Sequence, residues 1–150
     1  AADYATPAKS NALSCVLRIS TSGSTAHTQG QKILLTGDIE AAQEAQLLAH
    51  EQGGGADLHA DVLLVPHHGS RTSSTDAFVQ AVSPRFALVQ AGYRNRFGHP
   101  APAVLERYQM QGIDLLDSSH CGAATWRSTE PMRVHCQRVV ARRYWHHVPP

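Results

Sequence analysis

The chain has 150 residues, of which 42% are hydrophobic and 17% charged, enough apolar side chains for the core of one globular domain or of a large part of one. Its formal net charge of +1 is too small to indicate a polyanion partner by itself. The longest apolar runs, such as residues 62–65, are far too short to cross a bilayer.

The first third of the chain predicts a β-hairpin followed by a helix. "SCVLRIS" (14–20) alternates as a strand does, and the turn-rich "TSGSTAHTQGQ" leads into the apolar strand "KILL" (32–35). "EAAQEAQLLAHEQGGG" combines strong helix formers with a glycine stop, so a helix is expected over about residues 40–52.

Two further strands, each followed by a helix, are predicted in the middle of the chain. "DVLLV" (61–65) is a strand, and Ser73 or Ser74 is expected to N-cap a short helix closed by Pro84. "RFALVQ" (85–90) is the next strand, and the glycine-bounded loop "AGYRNRFG" leads to a helix with Pro100 near its first turn and Gly112 as its stop.

The tail predicts "IDLL" and other short β-like pieces, with "STEP" as a turn and a helix over residues 134–145 as the alternative. Of the three cysteines, Cys121 and Cys136 can pair, which leaves Cys15 over. The whole chain, 1–150, is one domain or domain fragment with flexible ends expected at 1–11 and 146–150. Short strands alternating with helices indicate an α/β fold with a mixed sheet.

Reactive side chains follow three successive predicted strands. Asp38 follows the first in "LLTGDIE", His67 and His68 the second in "LLVPHHGS", and His99 the third in "NRFGHP". Loops at strand ends are where α/β sheets bind ligands. Carboxylate and imidazole are the ligands of zinc, manganese or iron, and metal-bound water would be the nucleophile.

Simpler interpretations of the same residues stay open. Asp38 suits the N-cap of the following helix, and His67 or His68 taken alone is more often a hydrogen-bonded structural histidine than a ligand. His99, Ser70 and Asn95 suit ordinary loop or turn positions. Gly69 suits a position where glycine relieves backbone strain. Arg94 and Arg96 flank the His99 loop, where they would steer a phosphate or simply be solvated.

The ordered set "LLTGDIE", "ADVLLVPHHGS" with "RTSS", and "GYRNRFGHP" resembles the C-terminal half of the metallo-β-lactamase fold, and more narrowly the metallo-β-lactamase-like domain of ComEC-type DNA-uptake channels. The resemblance implies an αββα sandwich with a metal site at one sheet edge. It implies metal binding by Asp38 and His67 and places three catalytic residues beside them: His68, Ser70 and His99. Substrate contacts then fall to Arg94, Asn95 and Arg96.

The implied activity is that of a metal-dependent phosphodiesterase, a nuclease that processes a DNA strand during transformation. The implied cofactors are two divalent ions, manganese or zinc. The implied partners are single-stranded or double-stranded DNA and the remainder of the membrane channel protein. The implied location is the extracytoplasmic face of the bacterial inner membrane.

One departure from the family pattern limits what is expected of this chain. The metal-binding motif HxHxDH, which precedes these elements in the family, is absent from the 150 residues. We therefore expect the C-terminal portion of such a domain, inactive when isolated and weak in metal binding. An exposed sheet face and edge would then favour a homodimer or a partner chain.

Two other functions remain open on the sequence. One is a non-catalytic module that binds single-stranded DNA or docks on the channel through Arg94, Arg96 and the five arginines of residues 127–143. The other is a metallo-hydrolase of a different ester, because this fold serves many substrates.

Overall fold

The computed structural model describes residues 10–23 and 30–145. The flexible ends expected at 1–9 and 146–150, and residues 24–29 of the turn-rich hairpin segment, lie outside the described residues. Ser10 and Asn11, which were also expected to be flexible, belong to a short 3-10 helix, Ser10–Leu13.

A five-stranded mixed sheet forms the centre of the fold, with its strands side by side in chain order. The first strand pairs antiparallel with the second, and the remaining strands are parallel to their neighbours. The α/β class, the mixed sheet and the initial hairpin are confirmed. The strands are β1 (Leu17–Ser20), β2 (Lys32–Leu35), β3 (Val62–Leu64), β4 (Phe86–Val89) and β5 (Asp114–Asp117).

One helix connects each successive pair of parallel strands: α1 (Ala41–Gln52), α2 (Asp76–Val82) and α3 (Pro102–Met110). Parallel crossovers are right-handed, and these strands follow one another in order, so the helices lie on one face of the sheet. On that face Leu34, Leu63 and Ala87 stand in register across β2, β3 and β4. They form the core with apolar residues from the helices, among them Phe78, Val79, Val82, Val104 and Tyr108.

The opposite face of the sheet is apolar as well. Val62 and Phe86 stand in register on it and are buried. Towards the β1 edge the same face opens to solvent, where Leu17 is 54% exposed and Ile19 48% exposed. An exposed apolar strand at a sheet edge suits a covering partner. The expected homodimer or partner chain stays a prediction.

Two helix starts differ from those expected. Thr75, and not Ser73 or Ser74, caps α2, and its Oγ1 accepts a hydrogen bond from the Phe78 amide. Both serines are buried in the preceding loop, which uses their hydroxyls elsewhere. Helix α3 begins at Pro102, because Pro100 belongs to the loop before it.

The tail forms a separate two-stranded sheet of β6 (Ala124–Trp126) and β7 (Val134–Cys136). The expected "STEP" turn lies between these strands. The helical alternative for residues 134–145 survives only as the short α5 (Gln137–Val140). Cys136 forms a disulfide with Cys121 at the end of the short helix α4 (Ser118–Cys121), and Cys15 is a free, exposed thiol.

Candidate metal-binding edge of the sheet

The loops that carry the candidate residues all leave the sheet along one edge, the edge formed by the carboxyl ends of the parallel strands. Strands β2, β3 and β4 are parallel, so their carboxyl ends lie side by side. Asp38 follows β2, the segment Pro66–Gly69 follows β3, and the loop that ends at His99 follows β4. The structure therefore brings these three loops together.

Asp38 stands in a tight turn between β2 and α1. Gly37 takes a left-handed conformation (φ 57°), and a Cβ there would lie 3.3 Å from Ser14 Cβ. The Asp38 amide donates to Ser14 Oγ at 3.2 Å. Glu40, and not Asp38, occupies the N-cap position of α1. The interpretation of Asp38 as a helix cap is therefore wrong, and its carboxylate is not used to cap the helix.

The two histidines share an unusual backbone conformation. His67 (φ 49°, ψ 41°) and His68 (φ 56°, ψ 19°) are both left-handed, which costs about 1–2 kcal/mol for each non-glycine residue. The turn is fixed from outside, because the His67 amide donates to Gly37 O at 3.0 Å. Such strain persists only where the surroundings enforce it, and it is concentrated at functional sites.

The His67 ring lies among polar groups from three segments. Asn11 Nδ2 lies 3.4 Å from Nε2, while Glu40 Oε1 and Thr72 Oγ1 each lie 3.4 Å from Nδ1. Asn11 Nδ2 also donates to Glu40 Oε1 at 3.2 Å. With Nε2 accepting from Asn11, Nδ1 carries the proton and points it towards Glu40 and Thr72. The imidazole is held in one orientation.

His68 contacts Asp38. Its Nδ1 lies 2.7 Å from Gln90 O, and a carbonyl can only accept, so Nδ1 carries the hydrogen. In the neutral ring Nε2 is therefore unprotonated, and it lies 3.5 Å from Asp38 Oδ1. The structure thus pairs Asp38 with His68 and His67 with Glu40. When His68 is neutral, the lone pairs of His68 Nε2 and Asp38 Oδ1 face each other across 3.5 Å, and a cation between them would bind both atoms.

His99 packs behind these residues, with its ring centroid 6.0 Å from that of His67. Its Nδ1 is buried and has no hydrogen-bond partner in the described part of the chain. Burial lowers the pKa of His99, and the neighbouring His67 and His68 lower it further by repulsion. The imidazole is consequently neutral at neutral pH.

Two residues hold the His99 loop against the histidine turn. Asn95 Oδ1 accepts from the His99 amide at 3.0 Å, and Asn95 Nδ2 donates to His99 O, so its side chain serves the loop itself. Gly69 is left-handed (φ 81°), and a Cβ on it would lie 2.7 Å from Pro100 Cβ. Only glycine permits this approach, which brings His99 close to His67.

Ser70 and Thr72 form a hydroxyl relay beneath His67. Ser70 is 7% exposed, and its Oγ lies 3.1 Å from Thr72 Oγ1, which in turn contacts His67 Nδ1. Ser70 is therefore linked to the His67 ring indirectly, through the Thr72 hydroxyl.

A buried carboxylate anchors the segment that follows. Glu44 is fully buried on α1 and accepts hydrogen bonds from the amides of Ser74, at 2.5 Å, and Thr75, at 2.8 Å. Tyr108 Oη donates to Ser74 Oγ at 3.1 Å. These bonds fix the start of α2 to α1 and so hold the loop that carries Thr72.

Arginines and aromatic rings alternate on the His99 loop. The Arg94 guanidinium lies 5.2 Å from the Tyr93 ring centroid, and that of Arg96 lies 4.7 Å from the Phe97 centroid. A cavity of about 230 Å³ lies beside them. Its lining includes His68, Gln90, Ala91, Gly92, Asn95, Phe97 and His99.

Sequence reasoning missed Asn11, Glu40, Glu44 and Phe97. Asn11 meets His67 across 56 positions of sequence, and no local pattern encodes such a contact. Glu40 and Glu44 fit a solvated helix start equally well. Two arginines just before an aromatic residue in "RNRFG" were the available signal for Phe97.

Among residues 10–23 and 30–145, no three His, Cys, Asp or Glu side chains are grouped so that they could hold a metal ion. The donor types at the edge suit zinc or manganese, but their number in the described chain is insufficient. No helix within the same residues is long and apolar enough to cross a membrane.

The sequence is similar to competence proteins over most of its length. It is 36% identical over 140 residues to competence protein ComA of Neisseria gonorrhoeae, and the aligned segment covers 93% of this chain and 19% of that protein. It is 35% identical over 100 residues to ComE operon protein 3 of Bacillus subtilis, which covers 67% of this chain and 12% of that protein. It is also 35% identical over 140 residues to the uncharacterized protein YcaI of Escherichia coli, which covers 93% of this chain and 17% of that protein.

The chain is therefore homologous to a segment of the ComEC-type competence proteins, and it spans less than a fifth of the length of these relatives. No family model matches the sequence, and no solved structure matches it.

Proposed function

We propose that this chain contributes one half of the active site of a metal-dependent phosphodiesterase that acts on DNA in a competence protein. The observation that carries the proposal is the pair formed by Asp38 and His68, with His67 and His99 beside it on the same sheet edge. We place the remaining ligands outside the described residues. The relatives are more than five times as long as the matched segment and have room for them.

The spacing of the donor atoms supports a metal at this edge. Two ligands of one zinc ion, each about 2.0–2.2 Å from it at a tetrahedral angle, lie roughly 3.4 Å apart. Asp38 Oδ1 and His68 Nε2 are 3.5 Å apart. His67, given as a metal ligand by the resemblance, is held among Glu40, Asn11 and Thr72. We assign Asp38 and His68 as two ligands of one ion. His67 is not grouped with them and would bind metal separately, through the Nε2 atom that Asn11 now contacts.

The remaining residues of the edge orient groups and move protons. A bound divalent ion would supply a nucleophilic hydroxide and stabilise charge on the phosphodiester. His99 stays neutral at neutral pH and its Nδ1 is buried, so proton exchange with substrate falls to Nε2. Ser70 is a positioning residue that acts through Thr72 on His67, and Asn95 positions His99. Arg94 and Arg96 bind phosphate groups.

The open face of the sheet fits the same proposal. In an αββα sandwich a second sheet would cover Leu17 and Ile19, which are half exposed here, and would bring further ligands to the edge. The remainder of the channel protein is the proposed partner for this face. The Cys121–Cys136 disulfide suits the oxidising, extracytoplasmic side of the membrane.

DNA cleavage tests this proposal. The polypeptide that joins this chain to its upstream sequence is incubated with labelled DNA and Mn²⁺ or Zn²⁺, with and without chelator. We expect metal-dependent cleavage that falls at least a hundredfold in Asp38→Asn. Asp57→Asn is the matched control, because Asp57 lies before β3, at the amino ends of the parallel strands, and makes exposed ion pairs and one exposed hydrogen bond with the His59 amide. Undiminished cleavage by Asp38→Asn would contradict the proposal.

A second candidate is a non-catalytic module that binds single-stranded DNA or docks on the channel. The two arginines of the His99 loop favour it, since within the described residues they contact aromatic rings and form no ion pair with a carboxylate. Binding would then depend on salt but not on chelator or on Asp38→Asn. Hydrolysis of another ester is the third candidate, and a substrate screen of the same polypeptide separates it from DNA cleavage.

A further inference from the structure

Phe97 is a large apolar side chain beside the site, and it is 66% exposed. Its ring lies nearly parallel to the His99 imidazole, with an interplanar angle of 18° and centroids 5.8 Å apart. An aromatic ring left in solvent beside a polar site loses the benefit of burial. A flat ligand laid against it would recover that benefit.

The cavity between Phe97, His68 and His99 has a volume of about 230 Å³. Pockets for drug-sized ligands usually measure about 300–1,000 Å³, so this one suits a single planar ring system and little more. Its lining is mainly apolar and includes the aromatic rings of Phe97 and His99. A flat, heteroaromatic ligand, which presents π-faces to such a lining, is the chemistry that fits.

The charge of the loop specifies the kind of heteroaromatic ligand. Residues 90–100 contain Arg94 and Arg96 and no Asp or Glu, so the loop attracts anions. Arg96 lies on the Phe97 ring. An exposed cation–π contact is weaker than stacking of a nucleobase on an aromatic ring, so a base can displace the guanidinium and leave it to bind the adjoining phosphate.

From these observations we infer that Phe97 and His99 form a stacking site for the base of an unpaired nucleotide, with Arg96 on its phosphate. Inside a duplex both faces of each base are already stacked, so only a single strand or a frayed end offers a base to this surface. The inference rests on the proposed function and specifies its substrate as single-stranded nucleic acid at the hydrolytic edge.

Equilibrium binding in excess chelator tests the inference without any cleavage. The probes are a short fluorescent single strand, the same strand in a blunt duplex, and an abasic strand of equal length and charge. Wild type binds the single strand more tightly than both other probes. Phe97→Ala weakens binding of the single strand about tenfold or more, leaves abasic binding unchanged, and Phe97→Trp restores the affinity.

Two control variants separate stacking from other effects. Met110→Ala removes an apolar side chain that is 80% exposed at the end of α3 and leaves all three affinities unchanged. Arg96→Gln weakens binding of the single strand and of the abasic strand equally. It also lowers the slope of log affinity against log salt concentration by about one, the value for one lost phosphate contact. A circular dichroism melt of each variant establishes that it folds.

The inference is overturned if wild type binds abasic and natural strands equally, binds neither, or loses no affinity in Phe97→Ala. None of these results bears on metal-dependent cleavage, so the hydrolytic proposal would survive them. Conversely, full cleavage by Asp38→Asn would end that proposal while a loss of binding in Phe97→Ala still identified the stacking site.

Discussion

Gly69 is the residue at which the histidine turn and the His99 loop come closest. Replacement by alanine adds a Cβ 2.7 Å from Pro100 Cβ at a φ of 81°, so both strain and a clash result. We expect Gly69→Ala to lower the free energy of unfolding by about 2–4 kcal/mol in urea titrations.

Gly54→Ala is the matched control for Gly69→Ala. Gly54 is also left-handed (φ 87°), but a Cβ there would meet nothing within 4 Å. This variant should cost only the conformational strain of about 1–2 kcal/mol. Equal losses in the two variants would show that the approach of Gly69 to Pro100 is not tight.

The protonation of His99 gives a second test at the residue scale. Burial, and then repulsion from His67 and His68, lower its pKa below the ordinary value of 6.5. An NMR titration of the ring protons should therefore show a midpoint below 6.5, and His67→Asn should raise it. A midpoint at or above the ordinary value would contradict a neutral imidazole with a buried Nδ1.

The lowered pKa of His99 also sets the sign of a pH effect on stability. The unfolded chain binds more protons at this position than the folded chain, so the contribution is fully present above pH 6.5. It is lost as the pH falls through the lower folded pKa. His99→Asn should accordingly flatten the acid limb of a plot of unfolding free energy against pH.

At the scale of elements, the contact between α1 and the start of α2 depends on Glu44. Its two carboxylate oxygens each accept one backbone amide. Glu44→Gln replaces one acceptor with a donor, which opposes an amide proton in a buried position. We expect a loss of about 2–3 kcal/mol in urea unfolding, whereas Glu106→Gln on the exposed face of α3 should change little.

The disulfide joins two elements of the tail, α4 and β7. It closes a loop with a sequence separation of 15 residues, and a loop of this size contributes about 3 kcal/mol when the chain-entropy account holds. A double replacement of Cys121 and Cys136 by serine should lower the unfolding free energy by about 2–4 kcal/mol. Cys15→Ser, which removes the free thiol, should have no such effect.

Local patterns predicted most of the elements and part of the site. The strands β2, β3 and β4 were visible as short apolar runs, and the residues that follow them were found because parallel strands share an edge. Ser73 was expected to cap α2, but Thr75 caps it. The Ser73 hydroxyl donates instead to the Pro66 and Ser70 carbonyls. That choice depends on the folded loop and not on local propensity.

At the scale of the whole molecule, the sheet has one face covered by helices and one that opens to solvent at β1. Sequence reasoning could not pair Asp38 with His68 or His67 with Glu40, since these contacts depend on the left-handed backbone of the histidine turn. We propose that this edge of the sheet is half of a metal site.

Calorimetric titration with Zn²⁺ or Mn²⁺ tests that claim most directly, on this chain and on the longer polypeptide that includes the upstream sequence. The account predicts weak binding by the chain alone and tight binding by the longer polypeptide, weakened at least tenfold by Asp38→Asn and unchanged by Asp57→Asn. Equal affinity in the Asp38→Asn variant, or no gain from the upstream sequence, would contradict it.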